Sequence, residues 1–125
     1  MYPKIKISLN GILENFKKIN NICLAHNINL SVVTKVLSGC SEITEALVKN
    51  GAKCICESRI INLIKYKHIN VEKWLIRLPM LCEISDVIKY CDVSLNSEFE
   101  TILALNNEAS RQNKIHKVIL MYELR

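Results

Sequence analysis

This sequence predicts an α/β fold of parallel βα units that forms an incomplete TIM-type (β/α)8 barrel. Short apolar, β-branched runs alternate with amphipathic helical segments, the order expected of strands joined by crossover helices. The three glycines of the chain, Gly11, Gly39 and Gly51, lie too far apart to form a G-x-G-x-x-G fingerprint or a P-loop. A complete barrel takes roughly 250 residues, so a chain of this length supplies about half of one.

The elements follow in order. Ile5-Lys6-Ile7-Ser8-Leu9 has the period-2 alternation of a strand, one that finds its partner outside the barrel. Asn10 is placed to cap a helix whose Ile12, Leu13, Phe16, Ile19 and Cys23 recur at helical spacing. Leu30 to Val36 is the first strand of the barrel. Ser41 caps the next helix, Glu42 and Glu45 suit its positive end, and Gly51 stops it. Lys53 to Cys56 is a strand, followed by a helix near Arg59 to Lys67. Trp74 to Arg77 is a strand broken by Pro79, followed by a helix from Glu83 to Tyr90. Asp92 to Leu95 is a strand, and Ser97-Glu98-Phe99-Glu100 has the S-x-x-E form of a capping box opening a helix to about Gln112. His116 to Tyr122 is the last strand. The chain ends soon after it, which leads us to expect an incomplete barrel with exposed edge strands.

Composition narrows the function classes. Half of the residues are hydrophobic, yet no apolar run approaches the roughly 20 residues of a membrane span, and the amino terminus lacks a signal peptide's apolar block. The net charge of +5 is scattered, as at Lys17-Lys18, Lys65 and Lys67, and aromatics are few. A nucleic-acid track would cluster the charge and interleave aromatics. The expectation is therefore a cytoplasmic protein that binds neither membrane nor nucleic acid. Six cysteines in a chain of long periodic segments read as reduced, mostly buried thiols. Cys54 and Cys56 share a strand face but lack the longer spacing and second ligand pair of a zinc site, so no metal is expected. His26, His68 and His116 show no partner in the sequence, and the first two sit where helices end.

Lys35 carries the most information. It closes the apolar run Leu30-Ser31-Val32-Val33-Thr34-Lys35-Val36 ahead of a small-residue turn. Such a lysine either extends its head into water or is desolvated, which makes an amine nucleophilic enough to condense with an aldehyde cofactor. On spacing alone the rarity of buried unpaired charge favours the first reading. Arg77 also closes a strand, as an anion contact or as an exposed cation. Arg59 opens a helix and has Glu57 and Asn62 as candidate partners. Asn96 and Ser97 end a strand, and Ser97 is accounted for as a helix cap. Alternation turns Thr34 away from Lys35.

Met1-Tyr2-Pro3-Lys4-Ile5, Val33-Thr34-Lys35-Val36, Glu57-Ser58-Arg59-Ile60, Arg77-Leu78-Pro79-Met80 and Ser94-Leu95-Asn96-Ser97-Glu98 resemble, in this order, the amino-terminal half of the alanine/ornithine racemase-like family. These are fold-type III enzymes using pyridoxal 5′-phosphate through an alanine racemase amino-terminal domain. The resemblance covers essentially the whole chain and implies that residues 1–125 are the amino-terminal part of that cofactor-binding barrel. It matches Lys35 to the Schiff-base lysine at the end of the first barrel strand, where barrel active sites lie, and reverses the preference given by spacing. It also implies cofactor contacts from Arg77 and Asn96, a small amino acid as substrate and a homodimer in the full-length family. Family members continue into a Gly-rich, Arg-containing segment, and Arg125 is not equated with that arginine. Two alternatives remain: a non-catalytic pyridoxal-phosphate homeostasis protein, whose usual Gly-Glu-Asn-Arg stands here as Cys56-Glu57-Ser58-Arg59, and an inactive truncated fragment.

Overall fold

A computed structural model describes residues 3–123. Arg125, like Met1, Tyr2 and Leu124, lies outside the described residues. Helix α1 (Leu9–Ala25) is followed by β1 (Val32–Val33), α2 (Ser41–Lys49), β2 (Cys54–Glu57), α3 (Ile60–Lys65), β3 (Glu72–Leu75), α4 (Ile84–Tyr90), β4 (Val93–Asn96), α5 (Phe99–Arg111) and β5 (Lys117–Leu120). The five strands form one sheet in sequential order, every neighbouring pair parallel. The two outer strands, β1 and β5, are not paired with each other, so the barrel is open. Among the described residues no helix is long and apolar enough to cross a membrane.

The expected alternation is present, with corrections at its ends. Residues 5–8 form no strand, and Leu9 is the first residue of α1. Two apolar–polar repeats are too short to hold an extended segment that has no neighbour to pair with. Ser8, not Asn10, caps α1, its Oγ accepting from the Gly11 N–H at 3.2 Å. Cys40 holds the cap position of α2, and Ser41 is its first helical residue. The S-x-x-E box does not form: Glu98 stands at the cap of α5 without a side-chain bond, and Ser97 Oγ turns to Glu98 Oε1 at 3.4 Å. The first barrel strand is the shortest, because Lys35–Leu37 leaves it as a 3-10 turn.

Register divides the sheet into two faces. Ile55 is level with Lys73, and Glu57 with Leu75. Ile55 and Leu75 join Leu63, Tyr66, Ile69, Val87, Ile88 and Leu105 in a core between the sheet and the helices. Alternation sends Cys54, Cys56, Trp74 and Val93 to the opposite, concave face. On that face the Trp74 indole N–H donates to Glu72 Oε2 at 2.9 Å, and Lys117 Nζ reaches Glu72 Oε1 at 2.6 Å across three strands. The thiol sulfurs of Cys54 and Cys56 stand 3.8 Å apart. Strand β2 is buried along its whole length, whereas Val33, Val118 and Leu120 on the outer strands are exposed.

Candidate active site

The carboxyl edge of the sheet gathers the residues singled out in the sequence. Lys35 follows β1 by two positions, Ser58 follows β2 by one, Arg77 follows β3 by two, and Asn96 ends β4. All four share this edge, but of them only Lys35 and Ser58 border one cavity.

Lys35 is exposed, in a 3-10 turn rather than inside a strand. The burial that would desolvate its amine is therefore absent from this chain. Thr34 is turned the other way, fully buried, with its Oγ1 donating to Glu57 Oε1 at 3.1 Å. Among the described residues Lys35 Nζ has no hydrogen-bond or ion-pair partner. It borders a cavity of about 530 Å³ lined also by Ser38, Ser58, Arg59, Asn62 and Lys65.

The turn that carries Lys35 rests on α3. Gly39 has φ +82°, and a Cβ built there would stand 2.7 Å from Lys65 Cδ and 2.8 Å from Asn62 Oδ1. Any side chain would thus be strained and would collide with the helix. Lys65 Nζ donates to the Ser38 carbonyl at 3.2 Å. Glu57 completes the contact from below, fully buried, accepting at Oε2 from Asn62 Nδ2 and from the Ser58 N–H, both at 3.2 Å. Arg59, read as a partner for Glu57 or Asn62, is exposed, and its guanidinium bonds to neither among the described residues.

Arg77 is neither a free anion contact nor an exposed cation. Its Nε donates to the Ser58 carbonyl at 2.6 Å and its Nη1 to the Leu78 carbonyl at 2.9 Å. Both Nη atoms clasp the Glu83 carboxylate, Nη2 at 2.9 Å. Glu83 also accepts from the Met80 N–H at 3.0 Å, which closes the Leu78-Pro79-Met80 turn. The guanidinium holds the Glu83 carboxyl below its usual range, and Glu83 in turn raises Arg77.

Asn96 is fully buried on the helix-facing side, in line with Ser94 and level with Leu120. Its Nδ2 donates to the Ser94 carbonyl and Oγ, both at 3.0 Å. Ser94 Oγ lies 2.8 Å from His116 Nε2, and His116 Nδ1 lies 3.3 Å from the Cys91 carbonyl. Only a protonated Nδ1 can bond that carbonyl, so Nε2 accepts from Ser94 and Ser94 accepts from Asn96. All donors therefore run one way, which leaves Asn96 Oδ1 buried without a partner. Burial pushes the His116 imidazolium pKa down. The sequence hid this chain, because Ser94 and His116 are 22 residues apart and meet only through the β4–β5 register. The buried acid Glu57 did have a signal in the sequence, a carboxylate closing the apolar run Cys54-Ile55-Cys56.

Comparison with known proteins finds racemases similar to this chain. The chain is 41% identical over 124 residues to an ornithine racemase of Acetoanaerobium sticklandii, a match covering 99% of this chain and 35% of that protein. It is 29% identical over 126 residues to a lysine racemase of Thermotoga maritima, covering 99% of this chain and 36% of that one. Over nearly its whole length the chain is thus similar to a part of each of these two racemases. It spans about a third of the length of the curated relatives it matches. No family model matches it. The fold is also that of PipY from Synechococcus elongatus PCC7942, solved without PLP, at a TM-score of 0.64 and 17% identity over 75% of this chain and 46% of that one.

Proposed function

We propose that residues 1–125 form the amino-terminal part of the pyridoxal-phosphate-binding barrel of a cytoplasmic amino-acid racemase, with Lys35 as the lysine that holds the cofactor. The observation that carries this reading is the place of Lys35: it stands at the carboxyl end of the first barrel strand, its amine claimed by no acid, in a chain with extended identity to an ornithine racemase. The donor set fits the group. An amine for the aldehyde lies beside two further cations, Arg59 and Lys65, with serine hydroxyls and an amide around the same cavity, a set suited to a phosphorylated carbonyl compound. When bound, pyridoxal phosphate supplies an electron sink for the carbanion left by removal of an α-proton.

This chain's own residues hold and orient. Lys35 presents the amine and, as a base, is placed to take a proton from one face of the α-carbon. Arg77 acts at one remove, because its bonds to Ser58 and Glu83 fix the rim of β2 against the turn after β3. Asn96 braces β4 from the helix side. The complete protein acts on a small amino acid as a homodimer. The likeness to PipY carries the fold alone and adds nothing to a non-catalytic reading.

The test is an absorbance titration of the purified chain with pyridoxal phosphate, then borohydride reduction and peptide mapping. The pyridoxyl group is expected on Lys35, and Lys35→Ala removes it. Label spread over Lys17, Lys18, Lys65 and Lys67 overturns the assignment. Racemisation needs acid–base groups on both faces of the α-carbon, and among the described residues we assign one such group, Lys35. Followed by optical rotation, the chain is expected to turn over neither L-ornithine nor L-alanine.

A further inference from the structure

We propose that Glu57 is a positioning residue for Lys35: its buried carboxylate, shared between Thr34 and Asn62, ties the Lys35 turn to helix α3 and so fixes where the amine stands. The inference rests on the reading of Lys35 as the cofactor lysine, but the clasp itself is defined by geometry alone.

Glu57 is fully exposed to the cost of burial and meets no cation. Its three donors are neutral: the Thr34 hydroxyl at 3.1 Å, the Asn62 amide at 3.2 Å and the Ser58 N–H at 3.2 Å. Thr34 and Glu57 are wholly buried and Asn62 nearly so. A carboxylate in that setting is retained at an energetic disadvantage against an apolar residue of similar size. What it gains is a connection between three elements at one point, the end of β1, the end of β2 and the first turn of α3. Lys35 is the residue after Thr34. Fixing the Thr34 side chain fixes the backbone from which Lys35 departs, while Gly39 and the Lys65–Ser38 bond fix the far side of the same turn. The cavity beside Lys35 is lined by the other ends of these connections, Ser38, Ser58, Asn62 and Lys65. The clasp orders the turn while, among the described residues, Lys35 Nζ forms no ion pair with it.

Glu57→Gln preserves volume, but its amide has one oxygen in place of two, so a nitrogen must face either Thr34 or the Asn62 and Ser58 donors and only one side of the clasp keeps its acceptor. Asn62→Asp introduced together with Glu57→Gln restores a donor–acceptor pair at that contact. Hydrogen exchange of the amides of residues 35–39 is the primary measurement. We expect exchange there to accelerate by about tenfold in Glu57→Gln, with the amides of β3 and β4 unchanged and partial recovery in the double variant. The second measurement is the borohydride-trapped pyridoxyl adduct, whose yield on Lys35 should fall by about tenfold, the scale of loss when a reacting group is held less well. If Glu57→Gln does not fold, Thr34→Val removes one donor isosterically and is expected to show the same two effects, smaller. Unchanged exchange in residues 35–39 in the folded variants overturns the proposal. An adduct absent from Lys35 in the unmodified protein defeats the cofactor-lysine reading instead, and the exchange data still decide whether Glu57 holds the turn. Faster exchange with an undiminished Lys35 adduct shows that Glu57 supports the fold only, and defeats its positioning role.

Discussion

Two carboxylates hold the two cation-bearing turns at the carboxyl edge, and they do so in opposite ways. Glu57 lies beneath the Lys35 turn and accepts from a hydroxyl, an amide and a backbone N–H. Glu83 lies beside the Arg77 turn and takes the guanidinium itself. In the first turn the cation next to the clasp stays uncommitted, and in the second the cation is the clasp. A buried acid can therefore order a loop without consuming the charge the loop presents, provided neutral donors satisfy it. The difference separates a residue available for chemistry from one spent on structure, although both were conspicuous in the sequence for the same reason, a cation closing an apolar strand.

The comparison can be broken most forcefully at Glu57. Glu57→Ala leaves the Thr34, Asn62 and Ser58 donors without their shared acceptor, and urea unfolding should report a loss of about 2–4 kcal/mol, the scale for several buried donors stranded together. Glu83→Ala should cost less, about 1–2 kcal/mol by the same measurement, because the Arg77 side chain is 30% exposed and water replaces part of what it loses. A third test uses pH. Since Arg77 depresses the Glu83 carboxyl, its contribution is complete above the ordinary carboxylate value and is lost as pH falls through the lower folded value. Thermal unfolding of the unmodified protein should thus decline more steeply below about pH 4 than that of Glu83→Gln. His116 has the complementary sign. Its folded value is lowered, so the unfolded chain takes up a proton first, and stability falls as pH drops through the ordinary histidine range. A stability profile flat across that range would show that the Ser94–His116 contact is solvated. The smallest change in stability belongs to Lys35→Ala, within about 0.5 kcal/mol as for other exposed positions, although the trapped adduct disappears. A large loss of stability there would erase the distinction between the two turns.

Which features the sequence revealed follows from the range of the forces involved. The strands β2, β3 and β4 and the helices between them were readable, because local apolar periodicity is enforced by the core they build. Their caps were not. Ser8 displaced Asn10, and Glu98 displaced Ser97, since one oxygen and one N–H decide a cap and several neighbouring residues offer them. The segment Ile5 to Leu9 alternated like a strand but had nothing to pair with. At the site, the position of Lys35 was legible, and spacing alone favoured the exposed head that the structure shows, whereas what covers the concave face is not written in the chain's local pattern. Arg77 looked free, since Glu83 stands six residues on, beyond a proline turn whose path the sequence does not specify. Asn96 was legible as a strand end, but its direction depended on a register set by β5.

Trp74 is the sole tryptophan of the chain, half-buried on the concave face with its indole tied to Glu72. Its emission is therefore an optical report from the face that a completed barrel would enclose. Whatever comes to cover that face, further strands or another chain, must shift the indole spectrum to shorter wavelength as water leaves. A bound chromophore that absorbs near the indole emission must quench it. The protein thus carries a fluorescent gauge of its own enclosure, in place before any label is added.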